Sequence, residues 1–181
     1  MIPRLWIVLA LASLFRVEGA TAQWTPSATP VDTLRVAAVE YSDWYGRRLT
    51  IHRAASYTML PLFAAQYAAG RQLLHDPEDA DLARRVHQPL AYGVGALFTV
   101  NTVTGVWNLW EARKEPEGRR RRTAHALLML AGDAGFVTTG YLGSAAARDG
   151  GDRELHRNVA LGSMALAVTG YLLMLPQLWD E

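Results

Sequence analysis

Four of the five histidines in this sequence occupy equivalent positions in a pattern that recurs along the chain: His52, His87, His125 and His156. Neutral imidazoles are common ligands of transition metals, and an opposed pair of them suits the two axial positions of haem iron. The fifth histidine, His75, belongs to a polar segment and is expected to be solvated. The four recurring histidines are therefore the candidate metal ligands of this sequence.

The residues around these histidines recur as well. Phenylalanine comes eleven residues after three of them: Phe63, Phe98 and Phe136. Glycine comes eighteen residues after the same three histidines: Gly70, Gly105 and Gly143. A polar residue comes fourteen residues after them: Gln66, Asn101 and Thr139. Arginine precedes each of the four by three or four residues: Arg48, Arg84, Arg122 and Arg153. Offsets of eleven and eighteen return to nearly the same helix face, so each helix presents its residues along one stripe.

These stripes belong to four apolar stretches of the sequence: 54–70, 88–110, 123–147 and 158–179. Asp133 is the one acidic or basic residue within these stretches. Each is close to the length that crosses a bilayer as a helix, and a soluble helix of this length would show a charged face. The connections are short, so consecutive helices are antiparallel neighbours. The sequence predicts an all-α, integral membrane, up-down-up-down four-helix bundle with an inverted internal repeat, with helices over about 50–71, 87–110, 122–147 and 155–177 in a transmembrane domain at 49–179.

In such a bundle the first and third helices are diagonal, and so are the second and fourth. His52 and His125 then face each other at one end, and His87 and His156 face each other at the opposite end. Two imidazoles without carboxylate or thiolate ligands are a poor set for zinc or copper, and they fit haem better. The sequence contains no cysteine, which excludes a covalently attached haem. We therefore predict two molecules of haem b, one for each pair.

Each of the other recurring sets has two interpretations. The arginines, together with Arg53 and Arg157 beside two of the histidines, are predicted to bind haem propionates, although arginines at helix ends also extend to lipid headgroups. The glycines leave room for a porphyrin, or they allow helices to pack closely. The phenylalanines are expected to exclude water between the two haem levels, and they are either an electron conduit or ordinary core residues.

Four helices that each contribute one histidine, with diagonal pairs binding one haem b near each face, resemble the cytochrome b561 family. The resemblance covers residues 48–176 and depends on the positions of the four histidines. Members of that family pass electrons across the bilayer from a reductant on one side to an acceptor on the other. The resemblance implies a transmembrane electron carrier, and a quinol or a small reductant is the expected donor class. The competing hypothesis is a haem-free membrane scaffold or assembly subunit, in which the stripes serve only helix packing.

The first 22 residues are typical of a secretory signal peptide, with Arg4, an apolar run over 5–14 and small residues at 20–22. Residues 23–48 then form an extracytoplasmic lead, in which 31–45 have the periodicity of an interfacial helix. These features predict a multi-pass protein of a bacterial-type inner (plasma) membrane, with the mature N-terminus outside the cytoplasm. The positive-inside rule favours the opposite orientation, because basic residues of the lead and the second connection outnumber those on the other side. The cleavage site is the more specific of the two signals.

The charged residues give three further expectations. A formal net charge of +1 provides little attraction to phosphates and argues against a nucleic-acid binder. The run Arg119–Arg122 is expected in the connection between the second and third helices, where it would attract an acidic redox partner or anionic headgroups of membrane lipids. Asp133 is either a proton or quinone site, or a structural hydrogen-bond acceptor for Asn101 or a threonine.

Overall fold

The computed structural model describes residues 39–148 and 150–175, which fold as an up-down four-helix bundle. Four long helices follow one another along the chain: α1 (Asp43–His75), α2 (Asp81–Glu111), α3 (Arg119–Arg148) and α4 (Arg153–Leu173). Short 3-10 turns at Pro77–Asp79 and Ala112–Lys114 lie in the first two connections. The signal segment 1–22 and most of the predicted interfacial helix lie outside the described residues, and 43–45 belong to α1.

Every helix begins earlier than its apolar stretch predicts. A mean hydropathy marks only the apolar part of a helix, whereas backbone hydrogen bonding continues through polar turns. Three of the histidines consequently lie more than one turn inside their helices, whereas His156 lies in the first turn of α4, as the sequence predicts. The run Arg119–Arg122 is also not in a connection as predicted, because it forms the first turn of α3. At the start of α4, the Asp152 carboxylate accepts a hydrogen bond from the Leu155 backbone N–H at 2.9 Å, which caps the helix.

The bundle consists of two tightly packed hairpins. α1 packs against α2 and α3 packs against α4 along most of their lengths, whereas contacts between the two hairpins are sparse. Within the second hairpin, a Cβ on Gly135 would overlap the Ser163 side chain, so α3 and α4 approach closely only because this position is glycine. In the bundle centre, a buried cluster joins residues of both hairpins: Met59, Phe63, Val94, Phe98 and Ala167.

Two of the described helices are long and apolar enough to cross a bilayer: α2 with the turn that follows it (Asp81–Lys114), and α3. Their most apolar windows have a mean hydropathy of 1.2, and only 22% and 6% of those windows are buried inside the bundle. The sequence predicted four spans, so length and composition support this prediction for the two central helices.

Candidate metal centres

The four recurring histidines meet in two pairs. His52 of α1 faces His125 of α3 with ring centroids 6.1 Å apart and ring planes at 78°. His87 of α2 faces His156 of α4 with centroids 6.2 Å apart and planes at 71°. Each pair therefore takes one imidazole from each hairpin, and all four histidines are half-buried. We call the His52–His125 pair the first level and the His87–His156 pair the second level.

The two levels lie at opposite ends of the bundle. The His52 imidazole lies against Gly105, because a Cβ placed on that glycine would be 3.1 Å from Cε1 of the ring. Gly105 comes eighteen residues after His87 in the same helix. At 1.5 Å per residue, the two levels are about 27 Å apart along α2. This separation is close to the thickness of the hydrocarbon core of a bilayer, about 30 Å.

Three of the four imidazoles are fixed through Nδ1 by a backbone carbonyl of the neighbouring helix. His125 donates to the Gly170 carbonyl at 2.8 Å, and His156 donates to the Thr139 carbonyl at 3.0 Å. His52 Nδ1 lies 3.1 Å from the Asn101 carbonyl. A carbonyl oxygen only accepts hydrogen bonds, so Nδ1 must carry the proton of the neutral ring. The other nitrogen, Nε2, then keeps its lone pair for a metal, which is the usual outer-shell arrangement of a ligating histidine.

The two levels differ in these outer contacts. His52 Nδ1 also lies 3.1 Å from the Thr104 hydroxyl, which gives it a second acceptor. His87 Nδ1 is buried and has no hydrogen-bond partner among the described residues. Its Nε2 instead lies 3.5 Å from the side-chain amide nitrogen of Gln66. The first level therefore has two anchored imidazoles and the second level has one.

The dimensions and the donor set of each pair suit haem iron. Two imidazole–metal bonds of about 2 Å, with about 1 Å from each nitrogen to its ring centre, place the centroids of two opposed rings about 6 Å apart. The described residues contain no group of three or more histidine, cysteine or acidic side chains that could hold a metal ion. Each level thus supplies two nitrogens, whereas protein zinc and copper sites usually have three or four ligands. A porphyrin would supply the further nitrogen ligands that the protein does not.

The phenylalanines form one aromatic cluster midway between the levels. The ring centroids of Phe98 and Phe136 are 4.6 Å apart, and Phe63 lies 6.1 and 5.5 Å from them respectively. The corresponding residue of α4 is Ala167, which is 3% exposed and packs in the same cluster. Three large rings and one small residue thus fill the centre of the bundle, where the sequence predicted a layer that excludes water.

The three predicted glycines lie at the levels of the histidines, and the structure shows what occupies the space beside them. A Cβ placed on Gly70, Gly105 or Gly143 would come within 3.1, 3.1 or 2.9 Å of Cε1 of an imidazole. The imidazoles belong to His87, His52 and His156 respectively, each on the partner helix of the same hairpin. Each glycine therefore makes room for a histidine ring.

The arginines predicted to bind propionates have protein partners in most cases. Arg48 forms an ion pair with Glu111 and donates to the Asn108 side chain at 3.1 Å. Burial acts to raise the pKa of the Glu111 carboxyl, but hydrogen bonds from Ser42 and the charge of Arg48 outweigh it and hold that pKa below its ordinary value. Arg48 also lies over the Trp107 ring, 4.9 Å from its centroid. Arg48 therefore ties the start of α1 to the end of α2.

Of the other five arginines, four lie near helix ends, and Arg53 lies about three turns into α1. Arg84 donates to the Pro77 carbonyl at 3.0 Å, and Arg157 donates to the Asn158 side chain. Arg122 donates to backbone carbonyls of the α2–α3 connection, including that of Glu115 at 2.7 Å. The last two, Arg53 and Arg153, are exposed. Four of the six arginines thus have protein partners in this structure, and their binding of propionates stays a prediction.

Asp133 joins the two hairpins. Its carboxylate accepts a hydrogen bond from the Thr102 hydroxyl at 2.5 Å, between α3 and α2. The sequence allowed such a bond with a threonine, and the structure identifies which one. The second carboxylate oxygen is buried and has no hydrogen-bond partner among the described residues.

Comparisons of the chain with protein-family models, with curated proteins and with solved structures found no match.

Sequence reasoning missed the acceptors of the Nδ1 hydrogen bonds. Asn101, Thr139 and Gly170 each come fourteen residues after a histidine, and each supplies its backbone carbonyl to a histidine of the neighbouring helix. The recurrence of polar residues at this offset was visible, but the contact uses the main chain. Thr104 had no recurring position to mark it.

Proposed function

We propose that this protein is a membrane-embedded b-type cytochrome that binds two haems and carries electrons from one face of the membrane to the other. His52 and His125 hold one haem, and His87 and His156 hold the other. The observation that carries the proposal is the pair of opposed imidazoles at each end of the bundle, with centroid distances of 6.1 and 6.2 Å. The proposal keeps the likeness to the cytochrome b561 family as a likeness of architecture.

The outer surface of the bundle supports a membrane location. Large apolar or aromatic side chains that are more than half exposed occur on three of the helices: Tyr57, Tyr92, Val103, Leu127, Val137 and Tyr141. Soluble monomers rarely expose so much apolar surface. At the first-level end, the exposed tryptophans Trp44, Trp107 and Trp110 lie near arginines, as residues of a membrane–water interface do. We propose that all four helices span the membrane as an inverted repeat.

The chain's own residues have separate tasks in this function. When bound, haem supplies reversible one-electron chemistry at its iron. The Nε2 atoms of the histidines bind the iron, and the Nδ1 contacts keep each ring in the required tautomer and orientation. The aromatic cluster of Phe63, Phe98 and Phe136 keeps water out of the region between the levels. A quinol or a small reductant is the proposed donor at one face, and the acceptor lies at the other.

The proposed orientation places the first level on the outer side of a bacterial-type inner (plasma) membrane. It follows from the signal segment, which directs the mature N-terminus out of the cytoplasm. Arg119 and Arg120, which are exposed at this end, would then attract an acidic redox partner or anionic lipid headgroups. A tag inserted after Gly118 should be accessible from the outer side, and a tag accessible only from the cytoplasm would reverse the orientation.

Asp133 is proposed to take up a proton or to contact a quinone when electrons enter the bundle. Its partly buried carboxylate has one satisfied and one unsatisfied oxygen. An Asp133→Asn variant should retain both haems and transfer electrons more slowly, measured by reduction kinetics in vesicles. Retention of the full rate would leave Asp133 with only its structural bond to Thr102.

The first test is a reduced-minus-oxidised absorption spectrum of the purified protein, with haem counted per chain. We expect a low-spin haem b spectrum and about two haems per chain. Protein without haem, after expression with an ample haem supply, would exclude electron transfer and favour the haem-free scaffold.

Single histidine variants test the pairing. His52→Ala and His125→Ala should each remove the same haem and retain the other, because both rings belong to the first level. His87→Ala and His156→Ala should remove the second haem. His75→Ala is the matched control, because this histidine is exposed at the end of α1 and belongs to neither pair. A scaffold would show no such pairing.

A further inference from the structure

We propose that the haem-ligating histidines are positioned by sockets on the partner helix of their own hairpin. A complete socket consists of a glycine and the backbone carbonyl one turn before it, as at His52 and His156, whereas His125 has only the carbonyl and His87 only the glycine. The inference rests on the proposed function and adds positioning residues to it. Gly70, Gly105 and Gly143 are then neither porphyrin clearances nor simple helix-packing residues. They are the places where an imidazole rests on a helix backbone.

The first half of the socket is the close approach at the glycine. For Gly105 the nearest atoms to an added Cβ are Cε1 and Nδ1 of His52, at 3.1 and 3.5 Å. For Gly143 they are the same two atoms of His156, at 2.9 and 3.1 Å. The edge of the ring that lies on the glycine therefore includes the Nδ1 atom. A side chain at this position would push the ring away from the helix.

The second part of the socket is a backbone carbonyl that is accessible because the glycine has no side chain. Asn101 comes four residues before Gly105, and Thr139 comes four residues before Gly143. In an α-helix a side chain lies beside the carbonyl four residues earlier, as the Thr104 hydroxyl shows by donating to the Val100 carbonyl at 2.7 Å. Without a side chain, that carbonyl is open to a donor from another helix. His52 and His156 use this opening, at 3.1 and 3.0 Å.

The fourth helix explains the one break in the glycine pattern. His125 bonds to the Gly170 carbonyl, and the residue four positions later is Met174. α4 ends at Leu173, so Met174 is the C-cap residue and lies outside the regular helix. No glycine is needed where the helix has already ended.

His87 has the glycine half of the socket alone. A Cβ on Gly70 would lie 3.1 Å from its Cε1 and 3.7 Å from its Nδ1, and the carbonyl one turn earlier belongs to Gln66. The hydrogen bond to that carbonyl is not formed among the described residues.

The sockets lie within hairpins, whereas the histidine pairs form between hairpins. His52 and His87 are positioned by contacts between α1 and α2, and His125 and His156 by contacts between α3 and α4. Each hairpin therefore orients its two ligands without help from the other. This division accounts for the strict spacing of glycine and histidine in the sequence.

The decisive variants are Gly105→Ala and Gly70→Ala, with Gly140→Ala as the control. A Cβ on Gly140 meets no atom within 4 Å, and this glycine lies in a helix as the others do. Alanine favours helices more than glycine, so a loss in the first two variants cannot come from helix propensity. We expect Gly105→Ala to lose the first-level haem, Gly70→Ala to lose the second-level haem, and Gly140→Ala to keep both. Retention of both haems in Gly105→Ala and Gly70→Ala would overturn the proposal.

A second measurement needs neither haem nor a variant. Ring nitrogen-15 chemical shifts of the haem-free chain in nanodiscs report which nitrogen of each histidine carries the proton. We expect the Nδ1-protonated form for His52, His125 and His156, and the opposite tautomer at these three would overturn the carbonyl half of the socket. Because this readout is independent of haem, a chain that binds no haem but shows these tautomers would refute the proposed function and retain the socket.

Discussion

The first and second histidine levels have the same ligands and nearly the same ring separation, yet their surroundings differ. At the first level both imidazoles donate to a carbonyl, and Thr104 adds an acceptor for His52. At the second level only His156 is anchored in this way, and His87 lies beside the Gln66 amide. Outer hydrogen bonds raise the basicity of a histidine ligand and stabilise the oxidised metal. If both pairs bind haem as proposed, equal spacing of the histidines would therefore not make the two redox centres equivalent.

The charges at the two ends differ as well. Basic residues predominate around the first level: Arg47, Arg48, Arg113, Lys114 and Arg119–Arg122. The connections near the second level carry many acidic residues: Asp76, Glu78, Asp79, Asp81, Asp152 and Glu154. Positive surroundings favour the reduced metal, so at the first level the surface charge and the buried hydrogen bonds act in opposite directions. Salt screens the exposed charges far more than the buried bonds, which allows the two effects to be separated.

The largest effect on the stability of the bundle is expected from a substitution between the two levels. Phe98 is 4% exposed and contacts both other phenylalanines, so Phe98→Ala should lower the free energy of unfolding by about 3 kcal/mol. Because Phe98 lies between the two levels, both haems should be retained less tightly, measured by denaturant unfolding and haem release. Val103→Ala, an exposed position of the same helix, should change little. A loss confined to one level would show that the cluster belongs to that level.

Thr104→Val should change haem binding at the first level and leave the second level unchanged. It removes the hydroxyl beside His52 and nearly preserves the shape of the side chain, so we expect about a tenfold loss of haem affinity at the first level. The potential of that haem should rise, because a less basic ligand stabilises the oxidised iron less. Thr99→Val is the control, since its hydroxyl bonds only within α2 to the Gly95 carbonyl. A redox titration that moves both haems equally would contradict the assignment of Thr104 to one level.

The ion pair of Arg48 with Glu111 predicts a pH dependence confined to the first-level end. The pKa of Glu111 is held below its ordinary value of 4.5, so its contribution to stability is present above that pH. The contribution should be lost as the pH falls through the lowered pKa. Glu111→Gln should lower the thermal midpoint at pH 7 and weaken its acid dependence, whereas Glu117→Gln, at an exposed position, should do neither. An unchanged acid profile in Glu111→Gln would remove this pair from the stability of the bundle.

The smallest effect is expected at the basic surface. Arg119→Gln combined with Arg120→Gln should slow reduction by a small anionic reductant by about two- to threefold at low ionic strength, with the difference vanishing in high salt. Arg85→Gln, at an exposed position near the second level, is the matched control. Equal slowing by the control would show that the surface charge does not distinguish the ends.

The sequence alone predicts the bundle and the pairing of the four histidines, because both depend on side-chain types. Four apolar stretches and short connections are enough to place His52 near His125 in any up-down bundle. The ends of the helices were less predictable, since Asp43–Thr50 and Arg119–Arg121 are polar and still helical. Hydropathy cannot detect a helix that continues out of its apolar part.

Contacts made by the backbone could not be predicted. Every residue has a backbone carbonyl, so nothing in the amino-acid sequence marks Thr139 or Gly170 as acceptors for His156 and His125. The protein partners of the arginines could not be predicted for a related reason. Arg48 and Glu111 are 63 positions apart, and only the packing of α1 on α2 brings them together. An arginine one turn before a ligand is a reasonable propionate partner until a carboxylate is found beside it.

The sparse packing between the hairpins has a consequence for assembly. Each iron would be bound by one histidine from α1–α2 and one from α3–α4, so haem would act as a crosslink that joins two independently ordered halves. Cutting the chain in the α2–α3 connection, between Lys114 and Gly118, should therefore give two fragments that reassemble when haem is supplied. The order of events would be two helical hairpins inserted one after the other, followed by closure of the bundle around its cofactors.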